Sequence, residues 1–528
     1  MDSNEFRDVA KSSIDAIADY FDKIADLEVV SRVEPGYLRK LLPLEAPPKG
    51  EPWEAIRADL EKHIMPGITH WQHPSFHAFF PCASSYPSML GELYSAALSG
   101  ANFNWINSPA ATELETIVMD WLAKMLGLPE CYFSTGPTFG GGIIQGGASL
   151  AVLTAMVAAR EKYLCETLPS DLAAGSPERE DAEWQKRSRL VALASTATHS
   201  SAKKAAQVLG LRFQAIPVRA EDGYGLTRAG LEAALQGCRA RGLEPFFLAA
   251  TLGTTDTCAV DDFAGITATL EGWDRPAGRP GELWVHVDAA YAGAALCCPE
   301  AQAATHIERV AAFHSFNVNM HKWMLVHFDA SCLFVRDRAW LTRALSVNQA
   351  VYVNAHSEGG LVTDYRDWEV PLGRRFRALK VWFVLRSYGV EGMRAYIRRS
   401  VGLSEDFAGW LAERPDLFEI MTGPAFALTV FRLAGGGAGA NEGEGEGEGE
   451  GQGLAERNVA TKALCDRVNA SGKMWVTSTV LDKKVAIRMC TAGGTTEREH
   501  VRAAYDLFVK HAEELLSQGV PNGVRQAV

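Results

Sequence analysis

The sequence carries no excess of basic charge. Its 52 lysines and arginines face 64 aspartates and glutamates, for a net charge of −12. An acidic chain without a basic stripe lacks the electrostatic footprint of a nucleic-acid binder and is repelled by anionic membrane surfaces. There is no uninterrupted apolar run long enough to span a bilayer. The opening residues, MDSNEFRDVAKSS, contain no apolar stretch of the secretory type. The ten cysteines form no C-x-x-C pair and have no regular spacing, which argues against a disulfide scaffold. They read as unbridged thiols packed inside, including the adjacent Cys297 and Cys298. No metal site and no solenoid repeat is expected. What remains is a large cytoplasmic globular protein.

At 528 residues the chain is too long for one small core. Residues 5–27 place Phe6, Val9, Ile14, Ile17, Ala18, Phe21 and Ile24 at roughly helical spacing, and a second helical pattern runs from Trp53 to Ile64. Residues 1–85 thus read as a helical N-terminal arm, too poor in apolar positions to fold alone and expected to pack on a partner subunit. From 86 to 380, short apolar runs such as LVALAS, PFFLAATLG, LWVHVDAA and SCLFVRD alternate with helical stretches. This alternation predicts an α/β layer with a mostly parallel sheet. Residues 381–528 read as a smaller C-terminal α+β domain ending in an amphipathic helix at 497–516. Within it, 435–453 is a Gly/Glu low-complexity insert, expected to be a disordered loop.

Four motifs carry chemistry. Asn319-Met320-His321-Lys322-Trp323, expected on a loop, sets a lysine among apolar and aromatic residues. Burial lowers a lysine pKa and suits a Schiff-base amine. His286-Val287-Asp288-Ala289-Ala290 delivers Asp288 at the carboxyl end of a strand, where open α/β sheets bind ligands. A carboxylate there can keep a pyridine nitrogen protonated, and small Ala290 lets a flat ring lie close. The glycine-rich run from Gly140 to Ser149 opens a helix whose N-terminal N–H groups suit a phosphate. His199, in Thr198-His199-Ser200, is placed to stack on a bound ring. Singly, each motif has an ordinary structural reading: a snorkelling lysine, a capping aspartate, a tight turn, a core histidine. Together they form an inventory suited to pyridoxal 5′-phosphate (PLP).

On these residues the sequence resembles the group II PLP-dependent decarboxylases, the aromatic-L-amino-acid decarboxylase family. The resemblance covers almost the whole chain. It includes VEPGYL (33–38), HW (70–71), ASSYP (83–87), SPA-TELE (108–115), HVDAAYAG (286–293), HKW (321–323) and LVTDYRDWEVPLGRRFRALK (361–380). It implies the fold type I architecture of PLP-dependent transferases. It also implies that Lys322 binds the cofactor as a Schiff base, that Asp288 pairs with its ring nitrogen, and that His199 and Ala290 flank its ring. Ala148, Ser149 and Asn319 match phosphate-binding positions, Thr251 a further cofactor contact, and His321 a residue that steadies the catalytic loop.

The same resemblance implies a homodimer with shared active sites, each completed by a loop carrying Tyr352. Relatives that decarboxylate have tyrosine there. Aromatic aldehyde synthases, which consume oxygen, have phenylalanine there or asparagine in place of the stacking histidine. Tyr352 and His199 therefore point to decarboxylation of an aromatic L-amino acid, with aldehyde synthesis as the alternative. The implied substrate pocket holds Trp71, Phe79, Phe80, Pro81, Cys82, Ala101, Phe103, Leu372 and Gly373. Cys82 stands where relatives carry threonine, Phe79 where they carry tyrosine, and Ala101-Asn102 where they carry Ile-Gly. Fewer polar contacts and a wider wall favour an indole, tryptophan or 5-hydroxytryptophan, over Dopa or tyrosine. Tryptamine would then be the product from tryptophan. Met320 for proline and Gly147 for serine are further departures, beside the lysine and in the phosphate cradle.

Overall fold

The computed structural model describes residues 1–272, 281–346, 362–434 and 448–518. Tyr352 and most of the Gly/Glu insert lie outside the described residues. The chain divides into two compact units. One comprises Cys82–Gly402 with Thr422–Leu428; the other comprises Met1–Pro81, Leu403–Met421 and Thr429–Val528.

The first unit is built on seven strands: β1 (Gly141–Gln145), β2 (Leu190–Ser195), β3 (Arg212–Ile216), β4 (Glu244–Thr251), β5 (Trp284–Asp288), β6 (Ser315–Asn319) and β7 (Ser331–Val335). Their order is β1-β7-β6-β5-β4-β2-β3. Strands β2 to β6 pair in parallel, as the alternating pattern predicts. SCLFVRD, however, becomes β7, which runs antiparallel to both β6 and β1. Only eleven residues separate β6 from β7, too few for a right-handed crossover helix, so the chain turns back after Lys322. Strands β1, β2, β5, β6 and β7 are buried throughout, which accounts for their unbroken apolar runs. The helix Ala148–Thr167 lays Ala151, Val152, Ala155, Met156 and Ala159 in the same core as Leu190, Phe247, Trp284 and Leu333.

Two local expectations are corrected. Asn319-Met320-His321-Lys322-Trp323 is not a loop: Met320–Trp323 forms one helical turn directly after β6. The glycine run is strand first, as β1, and helix only from Ala148: Ile143 and Ile144 are fully buried, and a Cβ at Gly142 would collide with Met119 and Phe334.

The second unit holds strands β8 (Phe418–Ala425), β9 (Leu428–Leu433), β10 (Thr477–Leu481) and β11 (Lys484–Cys490), in the order β10-β11-β9-β8. Strand β8 runs across the unit boundary into Thr422–Leu428. Phe407, Phe431, Leu464, Ile487, Val501 and Phe508 form this unit's core. The final helix spans Arg498–Gln518, near its predicted bounds. The helix Glu448–Ala470 begins inside the segment expected to be a disordered loop. Helix propagates cooperatively from the packed Ala463–Val468 segment, so the repeat's last residues join it. The N-terminal residues group with this C-terminal unit. Their first helix, Ser3–Lys23, buries no residue, and Phe6, Ile14 and Ile17 stay about half exposed.

Candidate functional site

Strand β5 projects Trp284, His286 and Asp288 from one face and Val285 and Val287 from the other. Asp288, its last residue, lies beside Thr251 of β4 and Asn317 of β6. The carboxylate is buried, and its Oδ1 accepts the Ala290 N–H at 3.0 Å. The Asn319 N–H donates to the Ala290 carbonyl at 3.0 Å, so the ends of β5 and β6 are tied.

His199 follows β2, at the start of the helix Ser201–Val208. Its Nδ1 accepts the Ser201 N–H at 3.2 Å. Burial lowers the His199 pKa; the Asp288 carboxylate opposes this and the Lys322 ammonium adds to it. Asp288 and Lys322 therefore both lie within electrostatic reach of His199. Thr198 shares a 3.1 Å hydrogen bond with Thr251, linking the histidine's turn to β4. Buried Asp261 fixes Thr251 in turn, accepting its N–H at 2.7 Å and the Leu226 N–H at 2.7 Å. Burial raises the Asp261 carboxyl to about 6, against the pull of those two N–H donors.

Lys322 is partly buried on its single helical turn. Its neighbour His321 is buried, with Nδ1 accepting the Ala330 N–H at 2.9 Å. Burial, and then the Lys322 cation, push His321 down to about 4. The ASSYP segment braces this turn: the Ala83 N–H donates to the His321 carbonyl at 2.8 Å, and Ser85 Oγ to the Leu325 carbonyl at 2.7 Å. Trp323 stacks on Tyr291 at 4.9 Å, tying HKW to HVDAAYAG.

Ala148 and Ser149 begin the helix after β1, which has no side-chain cap at Gly147. A Cβ at Gly147 would meet nothing within 4 Å, and the first N–H groups of a helix have no partner within it. Gln145 pairs in register with Ser331, and Ser331 with Asn319. Asn319 Oδ1 is buried without a partner, an orphan of the kind a polar ligand group satisfies. Phosphate at the helix start, a flat ring between His199 and Ala290, and a carboxylate for a ring nitrogen form a donor set that fits PLP.

The implied pocket residues fall in both units. In the first, the Arg374 N–H donates to the Ala101 carbonyl at 2.8 Å and the Arg366 N–H to the Phe103 carbonyl at 2.9 Å. These bonds tie Ala101 and Phe103 to the segment that carries Leu372 and Gly373, and a Cβ at Gly373 would meet nothing within 4 Å. Burial raises the Cys82 pKa, keeping it a neutral thiol. In the second unit, half-exposed Trp71 and Phe79 stack at 5.8 Å, and Trp475 meets Phe79 edge-on at 5.3 Å. Arg488 lies over Phe80 at 5.1 Å, and Pro81 closes this segment. Trp475, Arg488 and Asp261 were not singled out from sequence. A tryptophan in the short run Met474-Trp475-Val476 was the one available hint.

Residues 35–434 match the pyridoxal-dependent decarboxylase conserved domain. The chain is 41% identical to an aromatic-L-amino-acid decarboxylase of Rattus norvegicus, over 98% of each chain. It is equally 41% identical to a phenylacetaldehyde synthase of Arabidopsis thaliana, over 98% of this chain and 97% of that one. Among solved structures, Oryza sativa TDC with PLP and tryptamine superposes with a TM-score of 0.87 at 34% identity, covering 98% of this chain and 99% of that one.

Proposed function

This chain belongs to the pyridoxal-dependent decarboxylase family, and from that premise we propose that it removes the α-carboxylate of an aromatic L-amino acid, tryptophan or 5-hydroxytryptophan first, to give the arylalkylamine and CO2. It is a carboxy-lyase of fold type I, and its cofactor is PLP. The observation that best supports the reading is that Asp288 ends β5 beside Thr251 of β4 and that both Asp288 and Lys322 act electrostatically on His199.

When bound, PLP supplies an electron sink for the pair left at Cα as CO2 departs. The chain's residues do the rest. The Ala148 and Ser149 N–H groups and Asn319 hold the phosphate, with Thr251 as a further contact. Asp288, with Oδ1 held by the Ala290 N–H, keeps the proton on the ring nitrogen. His199 Nδ1 accepts from Ser201, so the neutral imidazole carries its proton on Nε2, and His199 and Ala290 would flank the ring. His321, neutral with Nδ1 occupied by the Ala330 N–H, likewise holds its proton on Nε2 beside Lys322. Lys322 would hold the cofactor through its side-chain amine. Tyr352 delivers the proton to Cα.

The stacked Trp71 and Phe79 rings support a flat aromatic substrate, and the space at Gly373 supports the larger indole. The apolar stripe of Phe6, Ile14 and Ile17, exposed on the first helix, supports a homodimer in which this arm is covered by the partner. Sedimentation of the purified protein tests that point: a dimer is expected, a monomer contradicts it.

Aldehyde synthesis is the second reading, favoured by the equal identity to phenylacetaldehyde synthase. A substrate panel of tryptophan, 5-hydroxytryptophan, Dopa, tyrosine and phenylalanine separates these readings. Amine without peroxide, fastest with an indole, supports the proposal. Amine fastest with Dopa or tyrosine removes the indole preference, and aldehyde with peroxide removes the decarboxylase reading.

A further inference from the structure

Behind Asp288, on the same face of the sheet, four fully buried polar side chains form a chain: Trp284, Ser315, His286 and Asn317. Trp284 Nε1 lies 2.8 Å from Ser315 Oγ. Ser315 Oγ lies 2.8 Å from His286 Nδ1, and His286 Nε2 lies 2.9 Å from Asn317 Oδ1. An indole N–H can only donate. Ser315 therefore accepts from Trp284. Burial pushes His286 down to about 4, against the nearby Asp288 carboxylate, so its ring is neutral. Asn317 Oδ1, which can only accept, takes its proton from His286 Nε2, leaving Nδ1 of the neutral ring to accept the Ser315 hydroxyl proton. Every hydrogen bond then runs one way, from Trp284 to Asn317. The chain ends on Asn317 Nδ2, a buried donor without a partner, on the residue that pairs in register with Asp288.

We propose that Trp284, Ser315, His286 and Asn317 are positioning residues that aim a donor toward Asp288 and fix the carboxylate that pairs with the cofactor's ring nitrogen. This rests on the reading that Asp288 pairs with that nitrogen. The stacking of His314 on Trp284 at 4.9 Å and of Phe247 on His286 at 6.1 Å holds two of the chain's rings in place.

The test loads the enzyme with PLP labelled with 15N at the ring nitrogen and records that resonance for the wild type, Trp284→Phe, Ser315→Ala, Asn317→Leu and Asp288→Asn. In the first three variants the resonance moves toward the unprotonated value. Their kcat falls about tenfold, the size of losing one hydrogen bond to a charged group, with little change in KM. A merely structural role would lower stability and leave the resonance in place. Asp288→Asn separates the two ideas. If it moves the resonance while Trp284→Phe and Ser315→Ala leave it at the wild-type position, the chain's role is overturned and the pairing stands. If Asp288→Asn itself leaves the resonance unmoved, the pairing falls and the proposal falls with it. Ser315→Ala removes a single oxygen atom, so it decides the matter even if Trp284→Phe or Asn317→Leu does not fold.

Discussion

Arg374 Nη2 lies 2.6 Å from Glu115 Oε1, and both side chains are almost wholly shielded from solvent. Glu115 also accepts the Ile144 N–H of β1 at 2.8 Å, while Arg374 bonds Glu369 and the Ile144 carbonyl. One buried ion cluster thus joins the tied segments at Ala101 and Gly373 to the strand that leads into the phosphate cradle. It explains why SPA-TELE and PLGRRF both stand out in the sequence although neither carries a group assigned to the chemistry.

Removing one member of such a cluster leaves a buried charge uncompensated. Arg374→Met is expected to destabilise the protein by about 3–5 kcal/mol. Urea denaturation followed by circular dichroism checks it. A loss below about 1 kcal/mol, the scale of an exposed pair, would show that the cluster is not a structural tie.

Three buried histidines make the fold sensitive to acid. Burial pushes His77, His286 and His321 each down to about 4. In the unfolded chain they protonate near their ordinary value of about 6.5. Their contribution is therefore fully present above that value and is lost as the pH falls toward 4. The ceiling is about 3 kcal/mol for each group. Urea midpoints compared around pH 7.5 and around pH 5 should show a marked fall at the lower pH. Equal midpoints would contradict the burial of these rings.

Gly373 has room for a side chain on its protein side. Gly373→Ser should leave stability within about 0.5 kcal/mol and act on the substrate instead. The expected result is a loss of about tenfold in kcat/KM for tryptophan relative to tyrosine. An equal change for both amino acids would remove Gly373 from the determinants of ring size.

Tyr352 lies outside the described residues, and its role rests on the family resemblance. Tyr352→Phe is expected to convert the product from amine to aldehyde plus hydrogen peroxide, read by mass spectrometry and a peroxide probe. Unchanged amine production would sink that role.

The residues proposed to hold the cofactor each sit at a local landmark in the sequence. Asp288 ends an apolar strand, Ala148 follows a glycine run, and Lys322 lies in an aromatic setting. The residues that hold them were not legible. Asp261 and Thr251 are joined across a turn, Glu115 and Arg374 across 259 positions, and His286 and Asn317 across two strands. Such pairings follow from strand order and register, which periodicity does not reveal. The antiparallel course of β7 was hidden for the same reason: a fully buried run reads alike in either direction. The grouping of Met1–Pro81 with the C-terminal segments was hidden too. It rests on contacts such as the His77 N–H to the Trp475 carbonyl at 2.8 Å, which no local pattern announces.

The most direct measurement follows the carboxylate itself. Holoenzyme is given L-tryptophan labelled with 13C at the carboxyl carbon, and labelled CO2, tryptamine and peroxide are quantified together, for the wild type and for Lys322→Ala. The account predicts one labelled CO2 for each tryptamine and no peroxide from the wild type. Lys322→Ala should lose more than about a thousandfold of that activity, together with the visible absorbance of the bound cofactor. Labelled CO2 accompanied by aldehyde and peroxide, or full activity in Lys322→Ala, would contradict it.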